Sequence, residues 1–175
     1  MAYTFGFRVP SELLGQWGRG SNPAKFELVS SECREVRYGP YRRKAQLYAG
    51  FTLRGCLCDK AAVLCPHLWI AAFAEQGISS AEGMTLREFT GKLQTCVRNS
   101  LPRSQHEPVT AWTSHVFRRG SATDILKSQG IKAMLKHGEW QSEASASAYA
   151  SADEITTSKL REACAAMVDL SDEDN

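Results

Sequence analysis

The chain has 175 residues and a mass of 19.3 kDa, is 43% hydrophobic and 23% charged, and carries a net charge of +2, which is the size and balance of one soluble domain with a core of its own. No apolar run approaches the ~20 residues that cross a bilayer, and Arg8 and Glu12 interrupt the stretch where a secretory leader would be apolar, so we expect an intracellular protein with no membrane partner. The net charge conceals a gradient of +5 over residues 1–60, +3 over 61–140 and −6 over 141–175, a basic body suited to a polyanion with an acidic end.

In chain order, Pro10 followed by SELLGQW predicts a short helix that stops in the Gly18, Gly20, Asn22 and Pro23 cluster. Residues 26–38 and 44–55 are rich in β-branched and aromatic residues and predict a β-hairpin turning at Gly39-Pro40, with a basic tip of Arg42, Arg43 and Lys44. Pro66 opens an apolar helix that Gly77 closes. Thr85 and Glu88 have the spacing of a capping box, and Leu86, Phe89, Leu93, Cys96 and Val97 recur with helical period, which predicts an amphipathic helix over 86–99. Pro102 stops it, and 102–112 is expected as a polar loop. Thr113 and Ser114 are expected to cap a helix from His115 to about Gln129 with Gly130 as its stop. A short helix, IKAMLKH, ends at Gly138. After an Ala/Ser-rich stretch containing Tyr149, residues 153–168 predict a further helix, and 169–175 an acidic disordered tail. The expected fold class is α+β, mainly α-helical with a small antiparallel hairpin or sheet.

The segment HVFRRGSAT places His115 and Arg118 one helical turn apart, and Trp140 precedes Tyr149 by nine residues. An arginine fork, an imidazole, an indole N–H and a phenol together supply what is needed to hold a phosphodiester and attack it without a metal. The sequence resembles the catalytic domain of the tyrosine recombinases, or phage-integrase-like recombinases. HVFRRGSAT is similar to the family's His-x-x-Arg motif, and Gly138-Glu139-Trp140 with Tyr149 is similar to its Gly-x-His/Trp element and nucleophile. FGFRVPSELLG resembles the segment of the family's first arginine, with Arg8 as the arginine and Glu12 as the acidic residue. RRKAQ puts Lys44 where relatives carry a hairpin lysine. LRGCLCDKAAVLCPHLW, a Cys-rich step with a Cys-Pro element, further resembles the eukaryotic transposon-type branch.

The resemblance runs from Arg8 to Tyr149 and implies a tyrosine-recombinase-like catalytic domain over residues 1–168. By the family's measure the domain lacks several N-terminal helices and a core-binding domain. It implies a metal-free, cofactor-free transesterification on double-stranded DNA. Tyr149 would form a 3′-phosphotyrosyl link and release a 5′-hydroxyl, Arg8 and Arg118 would grip the non-bridging oxygens, His115 and Trp140 would donate further hydrogen bonds, and Lys44 would protonate the leaving oxygen. Arg42, Arg43 and Arg119 would contact DNA, the C-terminal helix would mediate self-association on DNA, and the location would be nuclear in a eukaryote and cytoplasmic otherwise. The alternative is an inactive DNA-binding remnant of such an enzyme.

Plainer readings stand beside these. His115 and Arg118 can be a solvated pair at a helix start, Trp140 a core anchor, Tyr149 a half-buried phenol, and Arg8 with Glu12 an i,i+4 ion pair worth a few tenths of a kcal/mol. His106 and His137 lack motif partners and are expected at the surface. Cys33, Cys56, Cys58, Cys65, Cys96 and Cys164 form no regular framework and are expected as free thiols. Our reading assigns no metal. The alternative weighed against it is zinc on Cys56, Cys58, Cys65 and His67, whose spacing is tighter than that of common zinc modules; on the plainer reading Pro66 starts a helix whose first turn buries Cys65.

Overall fold

Pro66 and Gly77 bracket a helix as their chemistry requires, and the same local logic places most of the helical chain. A computed structural model describes residues 1–30, 34–43, 46–106 and 108–149. Lys44, Cys33, Cys164, the helix expected over 153–168 and the acidic tail lie outside the described residues. The seven described helices are α1 (Cys58–Ala61), α2 (Pro66–Glu75), α3 (Leu86–Ser100), α4 (Arg103–His106), α5 (Val116–Gln129), α6 (Ile131–Gly138) and α7 (Glu143–Ser147), accompanied by a small three-stranded antiparallel sheet. The class is α+β. Among the described residues no helix is long and apolar enough to cross a membrane.

The capping box of α3 forms in full: Glu88 N–H donates to Thr85 Oγ1, and Thr85 N–H donates to the Glu88 carboxylate at 2.8 Å. Gly130, at φ +85°, separates α5 from α6. The expected polar loop over 102–112 instead contains α4 and a single 3-10 turn at Val109–Ala111. The helix expected after Pro10 is one wide turn, Val9–Leu13, in which Leu14 N–H reaches back to Val9 O at 2.8 Å. Such i→i+5 turns are rare and are frequently found at functional sites.

The sheet departs from the expected hairpin. It runs β1 (Lys25–Ser30), β2 (Glu35–Tyr41), β3 (Gly50–Arg54), with β2 central. Gly39-Pro40 is not the turn; it lies within β2, joined by a cis peptide, where the β2–β3 register slips between Tyr38 and Tyr41. A proline lacks the ladder N–H, and an irregularity is where a central strand tolerates one. Gly39 has φ +155°, and a Cβ there would meet Phe51 Cδ1 at 2.6 Å, so the close approach of β3 requires glycine. The turn between β2 and β3 accordingly moves to residues 42–49, which still puts Arg42 and Arg43 at the start of the connection.

Two core clusters result. One is aromatic, with Phe5, Phe7, Tyr38 and Tyr41 buried between the N-terminal segment and β2; the Phe7 and Tyr38 rings lie 4.7 Å apart. The other gathers Leu57, Cys65, Ala122, Ile125, Met134 and Ala146 under α5, α6 and α7.

His137, expected at the surface, is 2% exposed at the junction of the two clusters. Its Nδ1 lies 3.2 Å from Arg54 Nη2 and its Nε2 lies 2.9 Å from Ser121 Oγ. Burial first, then Arg54, Arg43 and Arg118, hold its pKa well below 6.5. The unfolded chain takes up a proton near 6.5 that the folded chain refuses. Stability contributed by neutral His137 is therefore complete above that pH and is lost as pH falls below it, at up to about 1.4 kcal/mol per pH unit. Urea midpoints should fall between pH 7 and 5.5 in the native chain and much less in His137→Gln; equal slopes would refute the assignment.

Candidate active site

Arg8, the N-cap of the wide turn, begins the site. Its backbone N–H donates to Glu12 Oε2 at 2.9 Å and its Nη1 to Glu12 Oε1 at 3.1 Å. Glu12 is completely buried, and its Oε2 also lies 3.6 Å from Arg118 Nη1 and 3.7 Å from Arg43 Nη1. One carboxylate thus holds three guanidinium groups brought from the N-terminal segment, the β2–β3 connection and α5. Tyr38 Oη donates to the Glu12 backbone carbonyl at 2.7 Å and fixes this turn on the sheet.

Arg118 is 1% exposed and is gripped by main-chain carbonyls. Its Nη1 donates to Gly6 O and its Nη2 to Gly138 O at 2.8 Å. Its Nε has no hydrogen-bond partner among the described residues. The guanidinium lies 4.3 Å from the centre of the Trp140 ring and 5.6 Å from that of Tyr149, and the two rings are 5.5 Å apart. These are cation–π distances. Burial, with the nearby Arg43 and Arg8, lowers the Arg118 pKa to about 10 against the opposing pull of Glu12 and Tyr149. It remains a cation at neutral pH.

Arg43, expected to face DNA from the hairpin tip, is 5% exposed and turned inward. Its Nη1 donates to Gly138 O at 2.9 Å, its Nε pairs with Glu139 Oε2 at 2.9 Å, and its Nη2 donates to Tyr41 Oη at 3.2 Å. Burial opposes its charge, but Tyr41, Glu12 and Glu139 outweigh that and raise its pKa. Tyr41 donates to Glu139 Oε1 at 2.9 Å, and burial first pushes its own pKa up to about 12. Glu139 adopts the left-handed conformation, φ +52° and ψ +43°, just past the end of α6. A non-glycine residue held there is strained, and the contacts to Arg43, Tyr41 and Gln46 hold it in place.

Arg8, Arg43, Arg118, Glu139 and Trp140, with Gln46 and the first turn of α7, line a concavity of about 490 Å³. The ionic groups around it, including Glu12 behind Arg8, are three cations and two carboxylates. One positive charge is left over, with Arg8 the most exposed of the three arginines at 24% of its side chain. A concavity with this surplus can hold an oxyanion. Ser142 caps α7 by accepting from Ser145 N–H at 3.3 Å, and the Tyr149 N–H bonds Ala146 O at 2.9 Å, which sets the phenol beside Trp140.

Of the residues singled out in the sequence, Arg8, Arg118 and Trp140 line the concavity, and the Tyr149 ring lies against Arg118 and Trp140 without being among the lining residues. His115 sits at the N-cap of α5, exposed and outside the concavity lining, although its i,i+3 spacing puts it on the helix face of the buried Arg118. Arg42 and Arg119 are exposed. Cys56, Cys58 and Cys65 cluster, whereas His67 does not join them. Sequence reasoning passed over Arg43 as a wall of the site, and also Glu139, Tyr41 and Gln46, whose roles depend on the β2–β3 connection folding back onto the end of α6. No local spacing signals that contact. No family model, curated protein or solved structure matches the chain.

Proposed function

We propose that the chain breaks and rejoins DNA strands through a phosphotyrosyl intermediate, with Tyr149 as nucleophile. The observation that carries the reading is the convergence of Arg8, Arg118 and Trp140 on one concavity with the Tyr149 ring against both Arg118 and Trp140. A phosphate seated there would meet Arg8 and the surplus positive charge, and the guanidinium groups would strengthen their hold as charge builds on the pentacoordinate phosphorus. Tyr149 Oη would attack phosphorus and give up its proton to water, the bond from phosphorus to the 5′-oxygen would break with that oxygen taking a proton, and the 3′-phosphate would remain on the tyrosine. Lys44 is the proposed proton donor, and Arg42 and Arg119 are the proposed contacts to flanking phosphates.

A second reading, a DNA-binding remnant without cleavage, is favoured by one specific observation. Arg43 and both terminal nitrogens of Arg118 are already turned to Glu12, Glu139 and two backbone carbonyls, which leaves little of either guanidinium for a phosphate. A nicked suicide substrate separates the two. The enzyme reading expects a covalent protein–DNA adduct that vanishes in Tyr149→Phe while the variant folds with unchanged stability. Salt-sensitive binding without any adduct supports the remnant. Binding that does not weaken as salt rises from 50 to 200 mM refutes both, since phosphate-driven binding falls steeply over that range.

A further inference from the structure

The β3–α2 corner carries a second cluster that the DNA chemistry does not use. Cys56 follows β3 by two residues, Cys58 opens α1, and Cys65 is the N-cap of α2. Their sulfurs all lie within 4.8 Å of one another, at 2.9 Å for Cys56–Cys58, 3.3 Å for Cys58–Cys65 and 3.6 Å for Cys56–Cys65. A zinc ion about 2.3 Å from each sulfur fits a triangle of this size. Backbone N–H groups point at two of them: Leu57 N–H donates to Cys65 Sγ at 3.3 Å and Cys58 N–H to Cys56 Sγ at 3.5 Å. Donors of this kind stabilise thiolate charge.

We propose that Cys56, Cys58 and Cys65 form a zinc site, with the fourth vertex left to solvent. Binding requires only that three thiols lose their protons to water, with no oxidant. Three thiolates around Zn²⁺ carry a net charge of −1. A disulfide, the competing fate of clustered thiols, would need an oxidant and would leave one of the three sulfurs unpaired. The site's place in the fold gives it a structural role. Leu57 and Cys65 belong to the cluster formed with Ala122 and Ile125 of α5 and Met134 of α6, and Thr4 Oγ1 donates to Leu64 O at 2.7 Å. The metal would therefore fasten the sheet and the N-terminal segment to the helix pair that presents Arg118 and Trp140. The inference is independent of any activity on DNA.

The test uses the full chain, purified under reductant and stripped of metal, titrated with Zn²⁺ in competition with a chromophoric chelator and separately with Co²⁺. We expect one ion per chain, a near-ultraviolet thiolate-to-cobalt charge-transfer band, and a rise in thermal midpoint on loading. Cys58→Ser should weaken Zn²⁺ binding by roughly tenfold or more, and Cys96→Ser, at an exposed position on α3, should bind as the native chain does. The native-chain stoichiometry and cobalt band decide the matter even if Cys58→Ser fails to fold. Zinc uptake well below one equivalent, a cobalt spectrum without the charge-transfer band, or equal losses in the Cys96 and Cys58 variants would overturn the proposal.

Discussion

Glu12→Gln is expected to lower folding stability by about 3–5 kcal/mol, the cost of removing one partner from a buried ion cluster. The carboxylate is fully buried and has Arg8, Arg43 and Arg118 around it at 3.1–3.7 Å. The amide that replaces it keeps the volume but not the charge, so three guanidinium groups remain with only Glu139 to oppose them. Urea unfolding at neutral pH measures the loss, and a change under about 1 kcal/mol would show that the cluster is solvated in solution. A companion result distinguishes charge from packing. Sulfate, as an anion bound by the folded state alone, should raise the stability of Glu12→Gln more than that of the native chain. Equal responses would mean that the concavity is no anion site.

Gly138→Ala is expected to destabilise the fold by overpacking. A Cβ at this position would lie 1.8 Å from Trp140 Cζ3 and 2.1 Å from its Cε3. The indole rests against the glycine and carries Arg118 at 4.3 Å from its centre, so the ring must leave and its cation–π contact goes with it. Overpacking of this kind costs about 1–3 kcal/mol. The Gly138 carbonyl also accepts from Arg43 at 2.9 Å and Arg118 at 2.8 Å, so any backbone shift that relieves the clash loosens both arginines. A double-mutant cycle checks the cause: in a Trp140→Ala background the penalty of Gly138→Ala should shrink to a few tenths of a kcal/mol. An undiminished penalty would place the strain elsewhere.

The helices were legible because their signals are local. Pro66 and Gly77, the Thr85–Glu88 capping box, and Gly130 each act within one turn of the chain, and α2, α3, α5 and α6 follow them. The sheet was not, because Gly39-Pro40 has the composition of a turn and only the register of β1 and β3 on either side shows that it is an irregular stretch of strand. Glu12 was visible only as the i+4 partner of Arg8; its larger part, as the anion shared by three arginines, arises from segments about a hundred residues apart. His137 could have been found. It lies three residues after Met134 in a short helix, the spacing of a buried face, and both are buried with Gly138. That Arg8 and Trp140 share a concavity with Arg118 is in line with what the resemblance implied, whereas the inward turn of Arg43 depended on a connection whose path no periodicity encodes.

The grip of two glycine carbonyls on Arg118 also has a timetable. Gly6 and Arg118 are separated by 112 positions, and Arg43 and Gly138 by 95. At a synthesis rate of about 5–20 residues per second, roughly 5–20 s elapse between the emergence of the first acceptor and its guanidinium. During that interval the nascent chain can form the Arg8–Glu12 pair, whose members are four residues apart, but not the arrangement around it. The surroundings of Arg118 are therefore completed late, once α6 supplies Gly138 and the chain beyond it Trp140 and Tyr149, and a ribosome-bound fragment ending before α6 would carry Arg8, Arg43 and Arg118 without those partners.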